Sequence, residues 1–150
     1  MVSLKKLKMK MIKNFKILAQ FVKDISSETP DIQSYIFVKE HISKYLLNID
    51  INSKPLKNKM IEVNTTLKFE DKEPNEKKSY FEIVYTSIIK VNNEVKEKIA
   101  LEKIILCDVQ NEIYPNLEKT FLNLLHNSGF PEVRLDKKID FTKLYKQRSN

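Results

Sequence analysis

The sequence predicts an α+β domain, in which a four-stranded antiparallel sheet is followed by a long kinked helix, or two abutting helices, and a short C-terminal helix. Four segments in the first 91 residues alternate apolar and polar side chains, the period of a strand with one buried face. From about Glu94 onward, apolar residues recur at the spacing of a helix. Strands that come first and helices that come last favour the α+β class.

The predicted strands are Phe15–Ile25, Tyr45–Ile51, Met60–Glu70 and Ser79–Val91. The third is the clearest, because its odd-numbered residues are apolar or threonine and its even-numbered residues are mostly polar. In the first strand, the predicted buried face consists of Phe15, Ile17, Ala19, Phe21 and Ile25. Residues 31–44 show no clear period and are predicted as a long connection. The short links that follow favour an antiparallel meander.

The helical segment carries an apolar stripe that Pro115 is expected to interrupt, because proline lacks the amide hydrogen that a helix uses. The stripe contains Leu101, Ile104, Ile105, Val109, Ile113, Leu117, Phe121, Leu124 and Leu125. Gly129, the only glycine, follows where a left-handed C-cap is needed, and Pro131 prevents the helix from resuming. A short apolar extended piece and a last short helix are predicted next. Apolar residues off these faces, such as Ile88 and Leu106, indicate oligomerisation or apolar ligands.

The net charge of +7 is concentrated at the N-terminus. Six lysines lie within the first 16 residues, which contain no acidic residue, whereas the remaining 134 residues carry 21 basic and 20 acidic side chains. We therefore predict a basic, flexible leader at 1–13, a single domain at 14–145 and a short basic tail at 146–150. Binding of the leader to an acidic surface, such as ribosomal RNA or lipid headgroups, and a true start at Met9 or Met11 are the alternatives.

The sequence shows no arrangement typical of an enzyme, and no cofactor is predicted. His41 and His126 have no second histidine or cysteine at ligand spacing, so no metal site is expected. Cys107 lies in an apolar helix and is predicted to be a buried structural thiol, which suits a reducing cytosol. A single glycine excludes the phosphate-binding and dinucleotide-binding loops, which need several. No run of 18 apolar residues is present, so no membrane span is predicted.

Four segments together resemble SecB, the bacterial export chaperone family. The family's first-strand motif is similar to residues 21–30, FVKDISSETP, and its fourth strand is similar to residues 81–91, FEIVYTSIIKV. The aromatic-Pro pair of its main helix corresponds to Tyr114 and Pro115. Its C-terminal signature is similar to residues 129–131, GFP, followed by residues 140–145, DFTKLY. Order and spacing agree with the family over residues 14–145.

The resemblance implies a homotetramer, a dimer of dimers, whose sheets lie outside and whose long helices pack at the centre. It also implies an ATP-independent cytoplasmic holdase that binds unfolded secretory precursor proteins in apolar grooves and delivers them to SecA, the translocation motor. Neither a specific nucleic acid nor membrane insertion is implied. Burial of the apolar segments that an unfolded chain exposes, worth about 25 cal/mol per Å², requires no particular client sequence.

The resemblance also implies two sets of site residues. Acidic side chains of the family dock SecA, and the matching positions here are Asp24, Glu28 and Glu82. Strand alternation independently predicts that Asp24 and Glu82 lie opposite the apolar faces. The family lines its client groove with apolar residues of the long connection, strand edges and helices, which suggests Tyr35, Ile36, Phe37, Ile42, Leu46, Ile104 and Tyr114. The alternatives are ordinary solvated carboxylates for the first set and packed core residues for the second.

The chain departs from the family in its basic charge, in the residues after Pro115 and in its short C-terminal tail. Asn116-Leu117-Glu118 stands where the family usually has Phe/Tyr-Ala-Arg, and only five residues follow Tyr145. A SecB-like chaperone of a toxin–antitoxin system therefore remains an alternative. A small RNA-binding module is the alternative from another class. It requires aromatic residues on the exposed sheet face, whereas alternation predicts Phe81 and Tyr85 on the buried face.

Overall fold

The computed structural model describes residues 14–72, 79–135 and 138–148. In chain order the elements are β1 (Phe15–Ser27), α1 (Ile32–His41), β2 (Leu46–Pro55), β3 (Met60–Glu70), β4 (Phe81–Val91), α2 (98–127) and α3 (Phe141–Arg148). Short 3-10 turns at Ile42–Lys44 and Lys57–Lys59 flank β2. A four-stranded antiparallel sheet, a long helix of 30 residues and a short C-terminal helix confirm the predicted fold class. The predicted leader lies outside the described residues, and α3 extends into the predicted tail.

The strands are arranged in the order β1-β4-β3-β2, and every neighbouring pair is antiparallel. β2, β3 and β4 form the predicted meander, while the connection through α1 carries the chain from one edge of the sheet to the other. β2 continues four residues beyond its predicted end at Ile51, because Asn52, Ser53 and Lys54 keep pairing with β3 although their side chains are exposed. β1 and β2 are the two edge strands of the sheet.

β1 contains two bulges that change which side chains face which side of the sheet. The register to β4 shifts between Ile17 and Ala19 and again between Val22 and Asp24. Each bulge reverses the alternation, so the ends of the strand keep the predicted parity and the middle does not. The prediction that Ala19 and Phe21 lie on the buried face is therefore wrong. Both lie on the opposite face, and Phe21 is 46% exposed.

Helix α1 occupies most of the stretch that was predicted as an irregular connection. Asp31 caps it, because its carboxylate accepts a hydrogen bond from the Ser34 backbone N–H at 2.7 Å. The helix has no continuous apolar stripe, since Val38 is fully buried whereas Ile36 is half exposed. Periodicity alone therefore did not identify it, and an aspartate at the N-cap was the signal that could have.

Helix α2 is continuous and consists of Lys98–Lys103, a π-helical turn at Ile104–Asp108, and Val109–Asn127. It passes through Pro115, so it is one helix rather than two. Pro115 and Asn111 are both exposed, and the Asn111 carbonyl that proline leaves without its helical partner can therefore be hydrated.

A buried side chain connects the π-helical turn to the sheet. The Gln110 side chain is fully buried, and its amide nitrogen donates to the Ile105 carbonyl at 3.2 Å. Its amide oxygen accepts a hydrogen bond from the Thr65 hydroxyl of β3 at 2.9 Å. The odd-numbered residues of β3 and β4 therefore face α2, and we call this side of the sheet the inner face and the opposite side the outer face.

The corner after α2 is a Schellman motif, which confirms the predicted left-handed cap at Gly129. Gly129 has φ +102°, its N–H donates to the His126 carbonyl, and the Phe130 N–H donates to the Leu125 carbonyl. A Cβ at this glycine would lie 2.8 Å from Cε2 of Tyr35. The corner therefore fits closely against α1, and the Tyr35 hydroxyl donates to the Gly129 carbonyl at 2.7 Å.

Aromatic rings join α1, the corner and the sheet into one core. Phe130 lies 5.3 Å from Tyr35 and 5.6 Å from Phe81, measured between ring centroids. Tyr45 lies 5.3 Å from Phe69 and 6.4 Å from Phe81. These separations are those of favourable tilted and edge-to-face pairs. Buried residues of the predicted helical stripe, from Ile104 to Leu125, complete the core beneath the inner face.

Candidate functional site

Two of the three predicted docking carboxylates lie on the outer face. Asp24 pairs with Val84 and Glu82 pairs with Ser26, so Asp24 and Glu82 are diagonal neighbours on adjacent strands. Such neighbours lie roughly 7–8 Å apart. The Asp24 carboxylate accepts a hydrogen bond from the Ser26 hydroxyl at 3.1 Å. The third, Glu28, is exposed one residue beyond the end of β1, on the connection to α1.

The outer face is mixed in charge and is not a purely acidic patch. Its carboxylates are Asp24, Asp50, Glu62, Glu70 and Glu82, and the lysines among them are Lys16, Lys23, Lys54, Lys68 and Lys90. Lys68 lies directly opposite Glu82 on the neighbouring strand and is 3.8 Å from Glu70. Any docking partner therefore meets acidic and basic groups together, and Lys68 lies level with the Asp24 end of β1, since Glu82 pairs with Lys68 on one side and with Ser26 on the other.

A polar network occupies the middle of the outer face. Asn64 donates to Glu62 at 2.8 Å and to Asn52 at 3.2 Å, and its amide oxygen accepts from the Thr86 hydroxyl at 2.7 Å. The hydrogen bond from Asn64 and the nearby ammonium group of Lys23, 3.4 Å away, lower the pKa of Glu62 below its usual value. The network ties three strands together and keeps the centre of this face polar.

The seven residues suggested for a client groove do not form one surface. Ile36 and Leu46 are each 50% exposed, and the other three residues from the connection are partly buried. Tyr35 packs on the corner as described, while Phe37 stacks on His41 at 4.1 Å. Ile104 is only 2% exposed, because it faces the core beneath the sheet. It therefore lines no surface of this chain.

Tyr114 is buried as well, but it borders a cavity of about 430 Å³ beside Pro115, Ile139 and Phe141. Its ring contacts Phe141 edge-on at 5.3 Å. Its hydroxyl has no hydrogen-bond partner of good geometry in the part of the chain that the structure describes. Burial, together with the nearby Glu118 carboxylate, raises the pKa of Tyr114 to about 12. The neutral phenol is therefore kept at the cavity wall over the whole physiological range.

A groove that the sequence did not predict runs along β2. Its walls are Ile49, Asp50, Ile51, Asn52 and Ser53 of β2, Glu102, Ile105 and Leu106 of α2, and Phe141, Leu144 and Tyr145 of α3. It consists of two adjoining cavities of about 350 and 190 Å³. These residues are far apart in sequence and meet only after α3 docks beside β2. The one sequence signal was Leu106, which falls off the main helical stripe.

Large apolar side chains are exposed along β1 and α1 and at scattered positions elsewhere. They are Leu18, Phe21, Val22, Ile25, Ile32, Ile36, Leu46, Tyr80, Ile99 and Leu144, each 40% exposed or more. On β1 they occupy both faces of an edge strand, because of the two bulges. A single chain thus leaves a long apolar edge uncovered, which is typical of a surface that binds another polypeptide.

The described residues contain no group of three or more histidine, cysteine or acidic side chains placed to hold a metal ion. Cys107 is buried, as predicted, and its sulfur lies 3.3 Å from the Thr142 hydroxyl of α3. None of the described helices has the length and apolarity needed to cross a membrane.

Comparisons with known proteins agree with this architecture. The family profile described as preprotein translocase subunit SecB matches residues 8–150. A putative protein-export protein SecB of Pelagibacter ubique is 61% identical over 140 residues, which cover 93% of this chain and 100% of that protein. The protein-export protein SecB of Mesorhizobium japonicum is 26% identical over 88% of this chain and 77% of its own length.

Among solved structures, the fold is similar to that of a SecB-like chaperone from Mycobacterium tuberculosis, in complex with a ChAD peptide from the HigA1 antitoxin. The TM-score is 0.61 at 8% identity, over 91% of this chain and 99% of that one. This likeness supports the fold. Together with the profile match and the 61% identical relative, it leads to one conclusion: the chain belongs to the SecB family of protein-export chaperones.

Proposed function

We propose that this protein is an ATP-independent holdase that binds unfolded secretory precursor proteins in the cytoplasm and delivers them to SecA. The observation that carries the proposal is the set of large apolar side chains left exposed on β1, α1 and the rim of the β2 groove. An unfolded precursor exposes apolar segments of its own, and mutual burial gives affinity without sequence specificity. Membership of an export-chaperone family supports the same function.

Aggregation of an unfolded precursor tests the holdase function directly. The purified protein is expected to suppress light scattering of the diluted, denatured precursor without ATP, in proportion to its concentration. The same precursor in its folded form is the matched control and is expected not to bind, because its apolar segments are buried. Equal binding of the folded and unfolded forms would rule the function out.

We also propose that four copies assemble, as a dimer of dimers. β1 supports this, because it is an edge strand with Leu18, Phe21, Val22 and Ile25 each more than 40% exposed. Four copies of 17.7 kDa give a particle of roughly 70 kDa, which light scattering measures. A monomer at micromolar concentration would contradict the assembly and leave the apolar edge of β1 without an explanation.

Asp24, Glu28 and Glu82 are the proposed SecA contacts. Asp24 and Glu82 lie on the outer face, away from the β2 groove. This position supports two separate sites, one for SecA and one for the client. The SecA contact is expected to weaken as the salt concentration rises, because it depends on exposed carboxylates, and the lysines on the same face reduce the negative potential that these carboxylates present.

Two other functions remain as test outcomes. A role as chaperone of a toxin–antitoxin system is supported only by a structural similarity at 8% sequence identity. The relative that is 61% identical is described as a putative protein-export protein. An RNA-binding module needs stacking rings on the open sheet face, but Phe81 and Tyr85 are buried and Phe21 is the one aromatic residue among the strand positions of that face. Steeply salt-dependent RNA binding would favour the latter.

A further inference from the structure

One end of the sheet carries an excess of exposed lysines. β1 and β3 begin at this end and β2 and β4 finish there, because neighbouring strands are antiparallel. The turn between β2 and β3 and the segment between β4 and α2 complete it. We call this part of the molecule the basic end, and its exposed lysines are Lys16, Lys54, Lys57, Lys59, Lys90, Lys96 and Lys98.

Few acidic groups balance these lysines. The carboxylates of the basic end, within the described ranges, are Glu62, Glu94 and Glu97. None of the seven lysines lies within ion-pair distance of a carboxylate in the part of the chain that the structure describes. The basic end therefore presents a positive potential to solvent and attracts anions.

Two of these lysines lie directly opposite each other. Lys16 of β1 pairs with Lys90 of β4, and both side chains are exposed on the outer face. Like charges in this position destabilise a sheet, and an anion bound between them would remove that cost. A shallow cavity of about 270 Å³ borders both lysines, beside Asn92 and Asn93. The pair is therefore arranged to hold an anionic group.

A second cavity of the basic end, of about 360 Å³, lies between the β2–β3 turn and the segment that follows β4. Lys59 and Lys96 border it, and the Lys59 ammonium donates to the Asn93 side-chain carbonyl at 2.9 Å. Asn93 borders the first cavity as well. Two adjoining cavities, each with a pair of lysines, fit an array of phosphate groups better than one isolated anion.

The chain enters the sheet at the same end. The Asn92 N–H donates to the Asn14 carbonyl at 2.7 Å, which holds the start of β1 against the end of β4. Residues 1–13 contain five lysines and no acidic residue. Apolar residues are interspersed among these lysines, namely Val2, Leu4, Leu7, Met9, Met11 and Ile12. The positive charge of the leader is thus attached directly to the basic end.

We propose that the basic end and the leader together bind the surface of a membrane that contains anionic lipids. Lysine ammonium groups are attracted to lipid headgroup phosphates, and interspersed apolar side chains are buried at the boundary between headgroups and acyl chains. Stable attachment needs two such contributions, and the chain supplies both. The binding is peripheral, and it goes beyond the holdase function without depending on it.

Composition favours a lipid surface over a nucleic acid. The basic residues of the leader and of the basic end are all lysines, and neither arginine of the chain, at positions 134 and 148, belongs to these segments. Proteins that bind single-stranded RNA stack its bases on aromatic rings or on arginine. Phe15 is the one aromatic residue among the described residues of the basic end, and it is buried. Residues 1–13 contain none.

Vesicle flotation with the full-length protein tests the inference. Vesicles of phosphatidylcholine with about one-third phosphatidylglycerol are expected to bind the protein at low salt, with a contribution of about fivefold per lysine at the surface. Binding is expected to weaken as salt is added. Vesicles of phosphatidylcholine alone are the control and are expected not to bind. Equal binding to both kinds of vesicle would overturn the inference.

Single-stranded RNA at the same phosphate concentration separates the two classes of polyanion. It is expected to bind more weakly than the anionic vesicles do, because its bases find no ring on which to stack. Tighter binding of the RNA would overturn the inference in favour of a nucleic acid.

A variant that starts at Met11 tests the leader. It lacks four lysines, so the formal net charge falls from +7 to +3. Its affinity for anionic vesicles is expected to fall more than about a hundredfold, with the oligomeric state unchanged. An unchanged affinity would overturn the role of the leader. Dissociation of the assembly would assign the leader to contacts between copies and would also overturn the inference.

Two pairs of lysines give matched variants within the domain. Lys16→Gln with Lys90→Gln is expected to weaken binding to anionic vesicles more than about tenfold. Lys44→Gln with Lys72→Gln removes the same charge from exposed positions at the opposite end of the sheet, and its effect is expected to stay below about threefold. Equal losses would show that only net charge matters and would overturn the assignment to the basic end.

Suppression of precursor aggregation by the same variants keeps the two functions apart. All of them are expected to act as wild type does, because none of the changed lysines lines the β2 groove. A protein that binds anionic vesicles but no unfolded precursor contradicts the holdase function alone. A protein that suppresses aggregation but binds no anionic vesicles contradicts this inference alone.

Discussion

At the scale of single residues, both the backbone conformation and the packing at Gly129 require a residue without a side chain. Its φ of +102° disfavours any side chain, and a Cβ would meet the Tyr35 ring at 2.8 Å. Gly129→Ala is therefore expected to lower the free energy of unfolding by about 1–3 kcal/mol. Urea denaturation at a fixed protein concentration measures the change.

Lys59 is the matched control for this substitution. It also has a positive φ, of 60°, but it is exposed in a turn and is not a glycine. Lys59→Gly is expected to leave stability unchanged or to raise it, because the strain of a bulky residue is relieved. A Gly129→Ala variant as stable as wild type would contradict the close fit of the corner against α1.

Tyr45 gives a prediction about alkaline pH. Burial raises its pKa to about 12, although its hydroxyl donates to the Ser79 carbonyl at 2.6 Å. The unfolded tyrosine ionises near its ordinary pKa of about 10, so the unfolded state loses its proton first as pH rises. The stabilisation is therefore fully present below about pH 10 and is lost between about pH 10 and 12.

Tyr45→Phe is expected to make this alkaline loss of stability shallower. At neutral pH the variant is expected to be less stable by about 1–2 kcal/mol, because the Ser79 carbonyl loses its buried donor. Denaturant titrations at several pH values separate the two effects. Tyr80→Phe, at a ring that is 40% exposed, is the control. An unchanged alkaline slope in Tyr45→Phe would contradict the assignment.

At the scale of elements, the π-helical turn of α2 depends on one side chain from the following turn. Gln110→Leu leaves both the Ile105 carbonyl and the Thr65 hydroxyl without the partner that they have in the interior. Its expected cost is about 1–3 kcal/mol. The double variant with Thr65→Val is expected to cost less than the sum of the two single changes, because no unpaired hydroxyl remains. Strictly additive costs in a double-mutant cycle would contradict this coupling.

β3, β4 and α2 could be predicted from the sequence because each buries one face along most of its length. β3 and β4 alternate without interruption, and α2 keeps its stripe through Pro115. Helix α1 lacks that signal, since it is held in its first half by the Asp31 cap and the Tyr35 hydroxyl and further along by the buried Val38, rather than by a stripe. The spacing of apolar residues therefore predicts elements that pack along their length against a sheet or a long helix. It misses elements that are held by a few individual contacts.

The candidate sites could be predicted only in part, for a related reason. Asp24 and Glu82 fall on the outer face because parity survives at the end of β1, whereas Phe21 does not follow parity because of the bulges. The β2 groove was not predicted, since it needs Ile51 and Tyr145, 94 positions apart, to become neighbours. No single residue of the groove belongs to a sequence motif that would have indicated a binding site.

At the scale of the whole molecule, the outer face and the β2 groove are separate surfaces, and charge reversal can tell them apart. Asp24→Lys with Glu82→Lys is expected to weaken SecA binding at least about tenfold, since like charges across a docking surface reduce both affinity and association rate. Binding of an unfolded precursor is expected to be unchanged. Calorimetry with each partner at low and moderate salt measures both effects.

Asp50→Lys is the control for Asp24→Lys alone, because it makes the same change of charge on β2, at the opposite edge of the outer face. It is expected to affect SecA binding less than Asp24→Lys does. If Asp24→Lys with Glu82→Lys binds SecA normally and loses the precursor instead, the two surfaces have been assigned the wrong way round.

The two bulges of β1 have a consequence for the gene as well as for the sheet. β1 uses 13 residues to span the 11 residues of β4, so Leu18 and Lys23 each stand opposite no residue of their own. Loss of either codon is expected to remove one bulge and leave the pairing on both sides in register, with the protein still folded. Loss of the Ile83 codon is expected to prevent folding, because it moves every later side chain of β4 to the opposite face of the sheet. This edge of the molecule can therefore change length by single residues between related genes while the remaining strands cannot.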